Sequence, residues 1–346
     1  MSDVIRVGLI RCDTHGMWYG AQMDEHDPLL LRQPMPVEDE MLYSWQRGGV
    51  HYFYYTIFCN PTQMTAPTVE GFQITNVWDE DRRSAEMFSR VFYGRPKVCD
   101  SFDQVSDDVD LVFIADCNYD GSDHLELARP GLEKGVSTFV DKPFARNLDE
   151  SLTIMELAAK HGANVLSLSM LQTNPAVAQV AERCKEVGQV QFGTVTCAFP
   201  EIPALIHAIS TVHEIFSTGV QEVNCLKAKS HIAFHLSYGD APGRPEHGVM
   251  INCGVSNFRF TEMFASVYGP EGAVQGLVLS DINASDGSAA VLERVKNMVR
   301  TGKPDPKHHD MLLAMAVADA AYQAESTGES VAVVNLPSSV GNVVQP

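Results

Sequence analysis

The sequence is poor in basic residues. Its 346 residues hold 25 Lys and Arg against 44 Asp and Glu, a formal net charge of −19. An acidic chain repels phosphate backbones and anionic lipid, which argues against nucleic acid and membranes as partners. Long apolar runs are missing too, since no stretch approaches the roughly 18 residues a membrane span needs. The segment Met1–Ile10 carries Asp3 and Arg6 inside its only apolar stretch, unlike a signal peptide. The eight cysteines, at 12, 59, 99, 117, 184, 197, 225 and 253, include no C-x-x-C pair. Scattered along a chain of this length, they are expected as reduced thiols of a cytoplasmic protein, not as a disulfide framework. Internal repeats and low-complexity tracts are absent. What remains is a globular protein long enough for about two domains.

What is present is an alternation of strand and helix patterns. Val4–Ile10 is a short β-branched apolar run of the kind found in buried parallel strands, and Gln73–Val77 is another. Asp81–Phe92 reads as a helix with Ala85, Phe88 and Phe92 on one face. The strand Leu111–Ala115 precedes a helix over Asp123–Lys134, stopped by Gly135. Thr138–Val140 is a strand, Leu148–His161 a helix closed by Gly162, and Asn164–Leu168 a further strand. This order predicts βαβ units and a doubly wound parallel sheet, an α/β Rossmann-type domain over residues 1–145. About 60 residues separate the first two strands, where a βαβ unit needs about 30 in all. The surplus is an insertion over 24–71, rich in Pro, acids and aromatics and including His51; a loop of that length is expected to be functional.

Past about residue 185 the pattern becomes alternating, as half-buried antiparallel strands require. Gln191–Ala198, Lys227–Leu236 and Gly248–Ser266 read as strands, with a turn at Pro270–Gly272. A helix over residues 310–326, with Leu313, Ala316, Val317 and Ala320 on one face, ends at Gly328. Residues 146–346 are therefore expected as an α+β domain with an open, mostly antiparallel sheet for substrate and oligomerisation, its closing helix packing back on the first domain.

In doubly wound sheets, ligands bind outside the carboxyl ends of the strands. Asp141-Lys142-Pro143 follows such a strand. A lysine there can aim charge at a substrate oxygen or donate a proton; it can equally be a solvated residue in a turn that starts a helix. A dinucleotide site asks for G-x-G-x-x-G after the first strand, and the corresponding positions are Arg11, Asp13 and Gly16. Arg11 brings a Cβ to a tight turn, and Asp13 sets a carboxylate where phosphate charge would lie. Cys12, Thr14 and His15 complete this loop. Asp79, ending the second strand, stands where an acid accepts from a ribose hydroxyl and favours NAD over NADP; it reads as well as a helix cap. Strands one and four are neighbours in a Rossmann order. Their loops therefore bring Asp13 and His15 towards Asp116, Cys117, Asn118 and His124. This is a second cofactor contact region or, alternatively, a divalent-metal set of Asp13, His15, Asp116 and His124. His207 and His213 lie on one plausible helix, as pocket histidines suited to proton transfer or as structural ones.

The segments FIADC, HLELARPGLEKGVSTFVDKPFA and TNPAV, with HHDMLLAMAVADAAYQAESTG near the C-terminus, resemble the Gfo/Idh/MocA family of nicotinamide-dependent sugar and cyclitol oxidoreductases. The likeness covers most of residues 4–10, 73–175 and 308–336. It implies a Glu-Lys-Pro-type motif, here with Asp141, whose Lys142 lies between nicotinamide and substrate. It implies that His213 shuttles a hydroxyl proton, although Ile209 stands where the family's D-x-G-x-H pattern has Asp. Gln172, where relatives often have Arg, and Asn174 are implied as polyol contacts together with His207. The expected reaction is hydride transfer between NAD and a hydroxyl-bearing carbon of a sugar, cyclitol or related polyol, by a homo-oligomer (dimer or tetramer). The alternatives are a non-redox lyase or epimerase on the same scaffold, metal-dependent in one form, and a non-catalytic ligand-binding protein.

Overall fold

The computed structural model describes residues 4–32, 68–115, 120–254, 262–279 and 284–336. The chain forms two compact units, Met1–Leu168 with Ser288–His308, and Ser169–Gly287 with His309–Pro346.

The first unit is built on a parallel sheet. Its strands are β1 (Ile5–Ile10), β2 (Phe72–Trp78), β3 (Lys97–Val98), β4 (Leu111–Ile114), β5 (Ser137–Val140) and β6 (Val165–Leu166), in the spatial order β3-β2-β1-β4-β5-β6. This is the doubly wound order, with the switch point between β1 and β4. β1 is buried at five of its six positions, as a central parallel strand must be. Gly8 is obligatory within it, because a Cβ there would lie 2.2 Å from the Val105 carbonyl oxygen. The crossovers carry α1 (Thr14–Met23), α2 (Pro28–Arg32), α3 (Arg82–Val91), α4 (His124–Glu133) and α5 (Leu148–His161).

Local caps explain where these helices begin and end. Asn147 accepts from the Glu150 amide at the start of α5, and Gly162 closes it at φ 69°. Aromatic rings fill the core. Phe113 and Phe139, on neighbouring strands, stack at 4.4 Å, and Tyr19 of α1 lies 5.0 Å from Phe113. Burial of each such ring contributes about 1.5–3 kcal/mol. The insertion begins in order: Asp24 accepts from the Ile74 amide at 2.9 Å and pairs with Arg95 at 3.0 Å. Residues 33–67 of the expected insertion, His51 among them, lie outside the described residues.

The second unit carries β7 (Phe192–Cys197), β8 (Glu222–Lys227), β9 (His231–Ser237), β10 (Val249–Gly254), β11 (Met263–Gly269), β12 (Gly272–Leu279) and β13 (Val331–Ala332). They run in the order β12-β11-β7-β10-β9-β8-β13. Among the described residues of this unit, only the β7–β10 pair is parallel. Its helices are α6 (Pro175–Arg183), α7 (Ile202–Phe216) and α9 (Asp310–Thr327), while α8 (Ala284–Thr301) passes from one unit to the other between Gly287 and Ser288.

The architecture is the one expected, with differences in detail. The first unit runs to 168 where 145 was expected, because β6 hydrogen-bonds to β5 (Thr138 beside Val165) and carries α5 with it. The closing helix α9 packs on α7 and β8, all within the second unit. The C-terminal segment that belongs to the first unit is Ser288–His308, where Trp18 Nε1 donates to the Ser288 hydroxyl at 2.8 Å. Lys227–Leu236 takes in only the end of β8, the turn after it and most of β9, and Gly248–Ser266 spans β10 and the start of β11. Alternation alone does not mark the turns inside those runs. Among the described residues, no helix is long and apolar enough to cross a membrane.

Candidate functional site

The carboxyl edge of the first sheet gathers the loops after β1, β2, β4 and β5. Arg11, at the first glycine position of the fingerprint, has φ 74°. A left-handed turn is thus required there even though no glycine supplies it, at a cost of about 1–2 kcal/mol. The side chain offsets that strain. Its guanidinium is buried, pairs with Asp123 at the start of α4 and with Glu80 at 3.1 Å, and lies 5.7 Å from the Trp78 ring centroid. These contacts join the loops after β1, β2 and β4, and nothing in the local sequence announces them.

Asp13 is the N-cap of α1. The amides of His15 and Gly16 donate to its Oδ1 at 2.9 and 3.1 Å, and the residue is 3 % exposed. Its charge is therefore held by the helix's own first donors. Thr14 opens the helix. Gly16 keeps the turn close: a Cβ would fall 2.1 Å from the Arg11 carbonyl oxygen. Asp79, ending β2, accepts from the Cys12 amide at 2.7 Å and the Asp81 amide at 2.9 Å. Burial pushes its carboxyl above the usual range, while those two amides and Arg11 pull against the shift. The Cys12 thiol is pushed well up by burial and then by Asp79 and Asp13, so it is an inert buried group here.

After β5, His15 and Asp141 meet: Nδ1 of His15 lies 2.5 Å from the Asp141 carboxylate. The other oxygen of Asp141 accepts from the Lys142 amide at 2.7 Å. Burial alone would raise the Asp141 carboxyl, but His15, Lys142 and that amide outweigh it and hold the group below the usual carboxylate range. Lys142 is half-buried beside this pair. The sequence pointed the loop after β1 towards that after β4; the contact with the loop after β5, through His15 and Asp141, has no signal in the sequence.

The loop after β4 tells less. Asp116, Cys117 and Asn118 lie outside the described residues. His124 is buried, with Nδ1 3.3 Å from the Phe144 carbonyl, which can only accept; it ties the start of α4 to the segment after Lys142. Among the described residues, no group of three or more His, Cys, Asp or Glu is disposed to hold a metal ion. Of the alternative metal set, Asp13 caps a helix, His15 pairs with Asp141 and His124 faces a carbonyl, while Asp116 lies outside the described residues.

In the second unit the expected polyol contacts prove to have local duties. Oε1 of Gln172 accepts from the Ser169 amide at 2.9 Å, closing a capping box in which the Leu171 amide donates to Ser169 Oγ. Asn174 caps α6 by accepting from the Ala176 amide at 2.9 Å. His207 Nδ1 is 2.6 Å from Ser169 Oγ, which fixes the ring against that turn. His213 lies in the last turn of α7 and is largely buried. Ile209, one turn before it, is wholly buried.

Residues 53–168 match a family model described as the oxidoreductase family with NAD-binding Rossmann fold, Gfo/Idh/MocA. No curated protein matches the chain. Solved structures do. A myo-inositol dehydrogenase from Lactobacillus casei, in complex with NAD(H) and myo-inositol, has a TM-score of 0.69 at 15 % identity, covering 96 % of this chain and 98 % of its own. A scyllo-inositol dehydrogenase from the same organism, with NAD(H) and scyllo-inositol, gives 0.70 at 11 %, covering 96 % and 100 %. An oxidoreductase from Agrobacterium radiobacter in complex with NAD+, L-tartaric acid and magnesium gives 0.67 at 14 %, covering 98 % and 99 %. At these identities the likeness is one of fold across both units.

Proposed function

We propose that the chain, whose residues 53–168 match the Gfo/Idh/MocA family of NAD-binding oxidoreductases, is a member of that family and transfers hydride between NAD and a hydroxyl-bearing carbon of a sugar, cyclitol or related polyol. The observation that carries the reading is the cluster at the carboxyl end of β5. There Lys142 follows an ionised, buried Asp141 that is itself anchored by His15. That is the edge of a doubly wound sheet at which ligands bind.

The residues present fit a dinucleotide at several points. Gly16 keeps the turn after β1 tight, and Asp79 ends β2 where a ribose hydroxyl would donate. Asp79, the Arg11–Gly16 loop and Lys142 are the groups that would hold it. NAD, when bound, supplies the hydride acceptor. The protein's own part is charge and proton control. The Lys142 ammonium stabilises negative charge developing on the substrate oxygen as its carbon-bound hydrogen leaves. Asp141 orients that lysine's backbone and holds His15 in place. In the second unit, His213 is the residue proposed to take the hydroxyl proton, a task suited to an imidazole. The relatives with bound myo-inositol and scyllo-inositol make cyclitols the first substrates to try.

The test is a thermal shift of the full chain with millimolar NAD and NADP, followed by NADH formation over a cyclitol and sugar panel. A ligand that binds only the folded state raises the melting temperature, and NAD is expected to do so more than NADP. No shift with either, together with no nucleotide released from the denatured protein, would leave the non-redox reading on this scaffold in its place.

A further inference from the structure

We propose that Asp13 is an internal occupant of the pyrophosphate cradle and sets the affinity for the dinucleotide. The cofactor must displace its carboxylate from the start of α1 before phosphates can settle there. This rests on the NAD reading above.

At the strand-to-helix turn of such a sheet, the first free amides of the helix are the donors a pyrophosphate takes. Here two of them are already in use, since His15 N–H and Gly16 N–H both donate to Asp13 Oδ1, at 2.9 and 3.1 Å. The turn itself keeps the shape of a cradle. Arg11 stays at φ 74°, and Gly16 lets the helix approach the Arg11 carbonyl as only glycine can. The backbone is therefore preserved while its donors are taken.

The surrounding charge acts in the same direction. The Arg11 guanidinium is in this loop, but it is bound to Asp123 and Glu80, whose two carboxylates offset its charge. Asp79 adds a further carboxylate at the Cys12 amide. An incoming pyrophosphate thus loses two amide donors to Asp13 and meets like charge in a poorly solvated loop. A residue without a carboxylate at position 13 would remove both obstacles.

Isothermal titration of the full chain with NAD tests this, comparing the wild type with Asp13→Gly and Asp13→Asn. Glycine is well tolerated at an N-cap, and asparagine caps about as well as aspartate. Circular dichroism melting confirms that each variant is folded. Asp13→Gly is expected to lower the NAD dissociation constant by about tenfold or more, since it frees both amides and removes the charge. Asp13→Asn is expected to lower it less, because it removes the charge but keeps the capping oxygen. A dissociation constant in Asp13→Gly equal to or above that of the wild type overturns the proposal. If the glycine variant fails to fold, Asp13→Asn decides by the same criterion. Tight NAD binding by the wild type, unchanged in the variants, overturns the role of Asp13 and leaves the oxidoreductase reading intact. No binding by any of the three overturns both.

Discussion

Two loops leave the same edge of the same parallel sheet. The one after β1 closes on itself: Asp13 holds the amides of α1, and Arg11 is paired to Asp123 and Glu80. The one after β5 is braced from behind, with Asp141 held by His15, so that Lys142 follows a fixed anion. Topology offers both loops to a ligand, because carboxyl ends of parallel strands all open on one crevice. The side chains then divide the labour: in the first loop polar groups are consumed by local structure, and in the second they support a cation. Position in the fold marks a site, while the hydrogen-bond inventory of each residue says whether it has capacity left for a ligand.

Substitutions at three positions put that contrast at risk. The largest effect is expected at Lys142. Lys142→Ala should lower kcat for polyol oxidation by about 10²–10³-fold, the usual loss when one preorganised donor to a developing oxyanion is removed. NAD affinity, measured by titration, should change far less. An unchanged kcat would mean that Lys142 supports no developing charge and would remove the contrast.

Arg11 comes next. Arg11→Ala strands the Asp123 carboxylate and keeps the left-handed backbone, and is expected to destabilise the protein by about 3 kcal/mol in urea denaturation. Arg11→Gly loses the same ion pair but relieves the φ 74° strain, so it should be milder by about 1 kcal/mol. Equal losses in the two variants would show that the turn stores no strain.

The smallest effect concerns the brace. Asp141 is held below the usual carboxylate range in the folded protein. Its contribution is therefore present above about pH 4, the range of an unfolded aspartate, and is lost as pH falls through the lower folded value. In His15→Ala the burial cost remains and only Lys142 and its amide still oppose it, so the carboxyl is expected to rise from its wild-type value. The variant should be less stable by about 2 kcal/mol near neutral pH, and the gap to the wild type should shrink as the pH drops and its carboxyl takes up a proton. A gap that stays constant with pH would mean that His15 does not stabilise the Asp141 anion.

Much of this molecule is local and could be read from the chain. Periodicity located β1, β4, β5 and α5, and Gly162 marked the end of α5 at its left-handed position. Caps were harder. Asp13, Gln172 and Asn174 were expected to meet ligands, and the structure gives each an amide within four residues. The sequence contained that possibility, since Asp and Asn cap the helix they precede and Gln at the third helical position closes a capping box. A family pattern weights such residues towards ligands, whereas a nearby backbone donor competes for the same oxygen. The turn between β8 and β9 was hidden for a different reason, because the alternating pattern passes through it.

The sequence by itself determined the alternation of strands and helices, the parallel sheet that follows from it, and the lysine placed just after β5. It could not determine which charges meet. Arg11 and Asp123 are 112 residues apart, and His15 and Asp141 are 126 apart. They pair only because β1, β4 and β5 lie side by side, and hydrogen-bonded ion pairs act over a few ångströms. Helix and strand patterns follow from short-range backbone geometry, which a linear sequence encodes directly. The electrostatics of the sheet edge follow from strand adjacency, which only the tertiary structure supplies.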